Sequence, residues 1–573
     1  MEKIIKLKKL FKKFNLDGYI VPKNNNFFGE YVSAAEDNLK YISNFTGSAG
    51  FAVILKNKNY MFVDGRYTIQ AGIQCGKQFQ ICNIPKEYPF NIFKKKSLNL
   101  GFDPKLHTEN SLNRLFGNNF INLKPINKNL IDLIWERERN LKVKPFYLIK
   151  DQDAGSKVQK KLDKLVKIIK SNRADYLFTT ASENVAWLLN IRGQDTSYSP
   201  LPNSHAIINK SGQVLLFCGS KKINQSLKNK INKNVKIYNF NLLPNYFLNL
   251  TNKKVIIDSS SCSIFYRSII EKNNLISEKQ DPIHYLKSLK NKIEIKNSIK
   301  SHIYDGAALT KFIFWLKNNF KEKKISEISA QEKLLKFRKK NKSFYNLSFP
   351  TISGTGPNSA IIHYKADKKS NRLLKKGDVY LVDSGGQYFY GTTDVTRTLS
   401  LDVQDYKIKE IYTRVLKGHI AVALYKLNKN SNGDKIDQSA RKFLKDVNLD
   451  YPHGTGHGVG YFSNVHEGPQ AISRGNRVKF QEGMITSNEP GYYKKNYFGI
   501  RIENLVYVKK INDKLKFENL TLVPIEKNLI VEKLLTTSEK NWLNKYHERV
   551  FSCLKKFMNN IELTQLKQAC SNI

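Results

Sequence analysis

The sequence predicts an α/β protein of several domains, and three observations lead there. The chain has 573 residues, several times what one hydrophobic core fills, so about two to four domains are expected. An amphipathic helix, an apolar strand and a hairpin follow one another twice in the N-terminal half, as in a divergent repeat. Helical and strand patterns alternate in both copies, which is the α/β pattern.

In the first copy, Leu7 to Phe14 reads as a Lys-faced helix running into the apolar strand Asp17-Gly18-Tyr19-Ile20-Val21. In the second, Val158 to Ile169, apolar at 158, 162, 165, 166 and 169, runs into Asp175-Tyr176-Leu177-Phe178. Tyr41 to Gly47 corresponds to Ala186 to Gly193, and Ala52-Val53-Ile54 to Ala206-Ile207-Ile208, each of the latter entering a polar turn and a second apolar strand. A third unit starts near Ser288 with a helical stretch carrying Ile303, Ala307, Phe312, Trp315 and Leu316. Near the end, Thr536 with Glu539 three residues on is a capping signal, and Trp542, Tyr546, Val550 and Leu554 continue at helical spacing. The expected partition is 1–150, 151–287 and 288–573, with a C-terminal extension from about 510.

Composition excludes several classes. No run approaches the roughly 18 to 20 apolar residues of a membrane span. Met1 to Leu16 interrupts its apolar residues with Lys, unlike a signal peptide, so a cytoplasmic protein is expected. Six cysteines without a CxxC pair argue against both a disulfide framework and a thiolate metal site. The net charge of +47 resembles the footprint of a nucleic-acid binder. The lysines are dispersed, however, and lack the interleaved aromatics of a base-stacking platform, so a compositional bias on solvated faces is preferred.

The last third carries Asp383, Asp394, His457, Glu489 and Glu503. Four carboxylates converging on one buried point must protonate or bind cations, and two shared divalent cations are the simplest solution. Val379 to Asp383 reads as a buried strand ending at Gly385-Gly386, with Tyr388 to Asp394 as the return strand. Alone, that pair of aspartates favours a turn. The run Pro452-His453-Gly454-Thr455-Gly456-His457-Gly458-Val459-Gly460 is more specific, because three of ten histidines fall between 453 and 466 among closely spaced glycines. An extended reading of that run puts His453 and His457 on one face. Glu489 follows the strand Met484 to Asn488, and alternation through Gly499 to Val508 puts Arg501 beside Glu503, where it can brace acidic ligands.

The order Asp, Asp, His, Glu, Glu, set in Val382-Asp383-Ser384-Gly385-Gly386, Thr393-Asp394-Val395-Thr396-Arg397, His453 to Pro469 and Glu489-Pro490-Gly491, resembles the pita-bread dinuclear metallohydrolases. Tyr41 to Gly50, Asp64-Gly65-Arg66-Tyr67, Ala186 to Gly193 and Asn541 to His547 extend the resemblance to the long, three-domain cytosolic Xaa-Pro aminopeptidases. The resemblance implies two related creatinase-type α/β domains followed by an α+β pita-bread catalytic domain, and a homodimer. It implies that Asp383, Asp394 and Glu503 hold one metal, and Asp394, His457, Glu489 and Glu503 the other. His363, His453 and His466 would be the substrate-pocket histidines, and Arg66 a substrate-binding arginine from the first domain. His363 lies in Ala360-Ile361-Ile362-His363-Tyr364, a strand-like apolar stretch where a buried structural histidine is the plainer reading.

Oxygen-rich coordination with one imidazole suits Mn(II) first, and also Co(II), Fe(II) or Zn(II). A bridging water in such a site is deprotonated near neutral pH. The hydroxide would attack the first peptide carbonyl, Glu489 would carry the proton to the leaving prolyl nitrogen, and His466 and His363 would donate to the oxyanion. The expected substrates are peptides with proline in second position. Prolidase activity restricted to Xaa-Pro dipeptides and a non-catalytic role binding RNA or another acidic partner are the alternatives.

Overall fold

The computed structural model describes residues 2–94, 97–117, 120–137 and 143–573. It divides into two compact units, Met1–Leu286 and Lys287–Ile573. Among the described residues no helix is long and apolar enough to cross a membrane.

The first unit holds two six-stranded sheets of one topology. In the N-terminal copy, α1 (Glu2–Phe14) leads to β1 (Gly18–Pro22), followed by β2 (Phe51–Leu55), β3 (Asn59–Asp64), β4 (Gln80–Ile84), β5 (Leu98–Phe102) and β6 (Ile121–Pro125), in the order β4-β3-β2-β1-β5-β6. In the second, α2 (Val158–Ser171) leads to β7 (Tyr176–Thr179), then β8 (His205–Asn209), β9 (Val214–Cys218), β10 (Val235–Asn239), β11 (Lys254–Ile257) and β12 (Leu275–Glu278), in the order β10-β9-β8-β7-β11-β12. Both central strands pair antiparallel with the hairpin and parallel with the strand that returns after it.

The repeat extends to packing and to helix ends. Ile4, Leu7 and Phe11 of α1 are buried, as are Leu162, Leu165 and Ile169 of α2. Each such side chain contributes about 1.5–3 kcal/mol. Lys161, polar by sequence, is also buried in α2, with its Nζ donating to the Trp187 carbonyl and to Asn190 Oδ1, both at 2.6 Å. The short helices Asn38–Ser43 and Ser182–Leu189 both end on a left-handed asparagine, Asn44 and Asn190. Asparagine tolerates that conformation and closes the helix C-terminus.

The second unit opens with α3 (Lys292–Asn319), capped by a box between Asn291 and Glu294. At Gly306 a β-carbon would stand 2.2 Å from the Leu522 carbonyl oxygen, so only glycine lets this helix meet the C-terminal chain. The three strands β13 (Ile352–Thr355), β14 (Val379–Ser384) and β15 (Val395–Ser400) form an antiparallel sheet with β14 in the middle. The return strand expected at Tyr388 to Asp394 is therefore displaced. β14 pairs with Val395–Ser400, and a small ladder of Gly386–Tyr388 with Gly391–Thr392 makes an excursion between them. The glycines at 385 and 386, read as a hairpin turn, instead open that excursion.

The tail closes on the same core. The box Thr536/Glu539 caps α4 (Thr537–Leu554), and a further helix at Asn560–Ala569, absent from the sequence expectation, follows it. Fully buried Arg397 ties the tail to the sheet. Its guanidinium donates to the carbonyls of Thr396 (2.8 Å), Glu503 (2.6 Å), Val523 (2.8 Å) and Pro524 (3.1 Å), to Asn504 Oδ1 (2.8 Å) and to Tyr546 Oη (2.9 Å). Removing it strands several buried acceptors, each costing about 1–3 kcal/mol. Arg397→Met is expected to destabilise the second unit by at least about 3 kcal/mol, read as a lower midpoint in urea or a lower melting temperature. A midpoint equal to that of the parent would contradict this anchoring role.

Candidate metal centre

The site forms where strand ends meet. Asp383 pairs with Thr396 and Ser384 with Val395, so Asp394 immediately precedes β15 and lies beside the end of β14. The excursion between them closes tightly, since a β-carbon at Gly385 would sit 1.9 Å from the Thr393 carbonyl oxygen. Under it, buried Arg338 donates to both oxygens of Asp305 (2.7 and 3.1 Å) and to Ser384 Oγ (3.1 Å), and Tyr388 Oη donates to Asp305 (2.7 Å).

The two glutamates come from a second junction. β16 (Ile485–Asn488) pairs with β19 (Asn504–Ile511) in the register Asn488↔Asn504, while β17 (Gly491–Lys494) pairs with β18 (Phe498–Arg501) in the register Gly491↔Arg501. Glu489 leaves one ladder where Glu503 enters it, so the two share one edge. Thr396 of β15 stitches the junctions together. Its Oγ1 donates to Glu503 Oε2 at 2.8 Å and its carbonyl accepts the Glu503 N–H at 3.2 Å.

His457 completes the group from the two-residue strand Gly456–His457. Its Nδ1 lies 3.0 Å from the Gly458 carbonyl, which can only accept, so Nδ1 donates and Nε2 faces the carboxylates. Nε2 lies 3.4 Å from both Asp394 Oδ2 and Glu489 Oε1. Asp394, His457 and Glu503 each offer a ligand atom within 4.8 Å of the others. Asp383 lies outside that group, with its Oδ2 accepting from Arg501 Nη2 at 2.7 Å.

The electrostatics of this pocket are unbalanced. Burial first, then the charges of Asp383 and Glu489, hold the Asp394 carboxyl well above its ordinary range. Burial, then Asp394, Glu489 and Asp383, do the same to Glu503. Asp383 Oδ1 and Glu503 Oε1 are buried without a hydrogen-bond partner. Orphaned carboxylate oxygens, a histidine nitrogen turned toward two acids and the single Arg501 counter-charge make a donor set that fits divalent cations. The site opens on the side of His457 and Glu489, whose side chains are 21% and 18% exposed against 6% for Asp394.

The other expected residues are placed as follows. His466 stacks edge-on against His457, ring centroids 4.3 Å apart. His453 does not share a strand face with His457, because Pro452 to Thr455 bend before the chain becomes extended. Its Nε2 meets Tyr493 Oη at 2.9 Å and its carbonyl accepts from Arg441 Nη2 at 2.5 Å. His363 sits in a turn after the 3-10 segment Gly356–Ala360 rather than in a strand. Arg501 and Glu503 are likewise not on one continuous strand, because the ladder changes partner between Arg501 and Asn504. Arg66, in the first unit, is clamped by Asp64 through Nε (2.9 Å) and Nη2 (2.7 Å).

Sequence reasoning passed over Tyr493 and the role of Thr396. Tyr493 Oη accepts from Arg501 Nη1 at 2.7 Å and so links the arginine beside Asp383 to His453. The signal was available in Glu489-Pro490-Gly491-Tyr492-Tyr493, where a hairpin places residues 491 and 493 opposite 501 and 499.

A pH dependence follows. Asp394 and Glu503, raised in the folded state, keep protons that the unfolded chain releases near pH 4. Without metal their contribution to stability is therefore full below that range and is lost as pH climbs through their elevated folded values. The metal-stripped protein is expected to melt at progressively lower temperature from pH 5 to pH 8, with Asp394→Asn flattening the slope and a bound divalent cation removing it. An equal slope in Asp394→Asn would refute the assignment.

Comparison with known proteins places the chain. Residues 297–510 match metallopeptidase family M24 and residues 513–573 its C-terminal region, while 3–130 and 137–294 each match a creatinase/prolidase N-terminal domain. A probable Xaa-Pro aminopeptidase P of Coprinopsis cinerea is 36% identical over 591 residues, covering 97% of this chain and 95% of the relative. Xaa-Pro aminopeptidase 1 of Dictyostelium discoideum is 36% identical over 602 residues, covering 99% and 95%. The crystal structure of X-prolyl aminopeptidase from Caenorhabditis elegans, described as a cytosolic enzyme with a di-nuclear active site, superposes with a TM-score of 0.93 at 30% identity, covering 100% of this chain and 99% of that one. A prolidase from Pyrococcus horikoshii, at 23% identity and a TM-score of 0.53, shares the fold over 64% of the chain. With creatinase-type domains ahead of a pita-bread domain and relatives matched end to end, this chain belongs to metallopeptidase family M24, among the Xaa-Pro aminopeptidases.

Proposed function

We propose that this chain is an aminopeptidase that hydrolyses the bond between an N-terminal residue and a following proline. The observation that carries this reading is the buried, under-compensated carboxylate set around His457, in a chain similar over its whole length to Xaa-Pro aminopeptidases. In this reading Asp383, Asp394 and Glu503 would hold one divalent ion, and Asp394, His457, Glu489 and Glu503 the other, with Mn(II) the preferred metal. When bound, the pair of ions supplies Lewis acidity and an activated water near neutral pH.

The protein's own groups do the rest. Glu489, the most exposed of the carboxylates measured against His457, accepts the proton of the attacking water and returns it to the leaving prolyl nitrogen. Its Oε1 accepts from Ser487 Oγ at 3.0 Å, which orients it. His466 and His363 donate to the oxygen that gains charge, and His453, steadied by Tyr493, lines the pocket with them. Arg501 orients Asp383 by donating to its Oδ2. Arg66 is a substrate-binding residue in the same proposal. The domain partition 1–150, 151–287 and 288–573, a homodimeric state and a cytoplasmic setting belong to the same proposal. The latter draws support from the nematode relative.

The deciding assay is hydrolysis of Xaa-Pro-Pro peptides by metal-stripped protein with Mn(II), Co(II) or Zn(II) restored. Release of the first residue is expected, greatest with Mn(II). Activity on Xaa-Pro dipeptides alone would assign a prolidase instead, and metal-independent binding of RNA without hydrolysis would assign a binding protein. Glu489→Ala is expected to lower kcat by at least about 100-fold. His466→Ala should lower kcat by about 100-fold with a smaller change in KM. Survival of full activity in Glu489→Ala would overturn its role as proton carrier.

A further inference from the structure

The loop that carries His466 is held by an ion cluster to which no part of the reaction has been assigned. Glu467 meets two lysines from the start of the second unit, Lys287 Nζ at 3.0 Å and Lys290 Nζ at 3.2 Å. The side chains are 3%, 2% and 1% exposed, so two ammonium groups and one carboxylate share an interior where an unpaired charge is costly. Lys287 stands off the hydrogen-bond axis, while Lys290 also donates to the Lys287 carbonyl at 2.8 Å. Burial by itself would raise the Glu467 carboxyl; the two lysines reverse this and bring it down to about 2.

The cluster reaches the histidines through a short, over-determined path. Ser463 Oγ donates to Glu467 Oε2 at 3.0 Å, and the Glu467 N–H donates to the carbonyl of Gly458, the neighbour of His457, at 2.8 Å. Gly460 packs so closely that a β-carbon there would lie 2.7 Å from Glu467 Oε2. At the other end, Gln387 Nε2 donates to the Ser463 carbonyl at 2.8 Å, and the Ser463 N–H donates to Thr392 Oγ1 at 3.2 Å, Gln387 and Thr392 both belonging to the excursion between Asp383 and Asp394. His466 lies within this frame, against the His457 ring.

We infer that Glu467, clamped by Lys287 and Lys290, is a positioning residue that fixes His466 against His457 and thereby sets the oxyanion donor in place. The inference deepens the aminopeptidase reading and rests on it for the role of His466. An outer partner of this kind acts through the orientation of the group it holds, and its loss typically costs about tenfold or more in activity.

The test is a double-mutant cycle between Glu467→Gln and His466→Ala, with kcat and KM measured on an Xaa-Pro-Pro peptide and imidazole ¹⁵N spectra recorded on the metal-free proteins. Glu467→Gln is expected to lower kcat about tenfold, to leave KM within about twofold, and to add nothing further in the His466→Ala background. The His466 resonances should shift. Should Glu467→Gln fail to fold, Lys287→Met, which leaves Lys290 to neutralise Glu467, is expected to show the same pattern with a smaller loss of kcat. A folded variant with parental kcat, or a loss that multiplies in full onto His466→Ala, overturns the inference. If the parent protein cleaves no Xaa-Pro peptide with metal restored, the aminopeptidase reading falls by itself; unmoved His466 resonances in Glu467→Gln then refute the positioning role separately.

Discussion

Excess negative charge in a buried pocket is the constraint on which the second unit depends. Asp383, Asp394, Glu489 and Glu503 converge with only Arg501, among the described residues, set among them, and two carboxylate oxygens have no hydrogen-bond partner. At the effective dielectric of such a site, each like-charge contact of about 4 Å costs on the order of 4 kcal/mol. The folded chain meets that cost by keeping protons on Asp394 and Glu503, or by taking up cations in their place. Such an arrangement works against stability, which is why it is proposed as the reactive centre.

Much of the surrounding structure keeps these acids in place against their repulsion. None of the four lies in the middle of a helix; each sits at or near a strand end, where register fixes the backbone. Thr396 binds two junctions into one, and Arg397 behind it saturates the carbonyls that the junction leaves unpaired, including that of Glu503. Tyr546 from the C-terminal helix accepts from the same guanidinium, so the tail is part of the framework of the site. Arg338 with Asp305 performs the matching task beneath the excursion between Asp383 and Asp394. Paired cations thus occur outside the pocket and are nearly excluded from it, leaving the pocket's charge to be met by what binds there.

Legibility from sequence followed the range of the interactions concerned. The two N-terminal copies could be aligned because helix period, strand period and turn chemistry are local, and the shared sheet order follows from repeating them. The caps at Thr536 and the helix through Trp315 are local in the same sense. Errors arose where the partner was distant. Tyr388 to Asp394 alternates well enough to suggest a return strand, yet β14 finds its partner in Val395–Ser400, because that register buries Val395 and Leu399 in the core. His453 and His457 share parity but not a strand, since Pro452 and Gly454 bend the chain and the Arg441 contact holds the bend. Tyr493 escaped notice because its meaning depends on Arg501 and His453, one across a hairpin and the other far away in sequence.

By itself the sequence determined the family and the plan shared by the two N-terminal copies, and it offered five metal-type ligands in a recognisable order with three neighbouring histidines. Residue types and spacings carry that information because ligand hardness and backbone periodicity are properties of the residues themselves. Tertiary structure alone decided which acids carry the strain, which ring nitrogen of His457 faces them, that Arg501 answers Asp383, and that Glu467 is locked between two lysines beside His466. Those outcomes depend on burial and on distances of a few ångströms between residues far apart in the chain, and electrostatic energy in a low-dielectric interior is set by such distances.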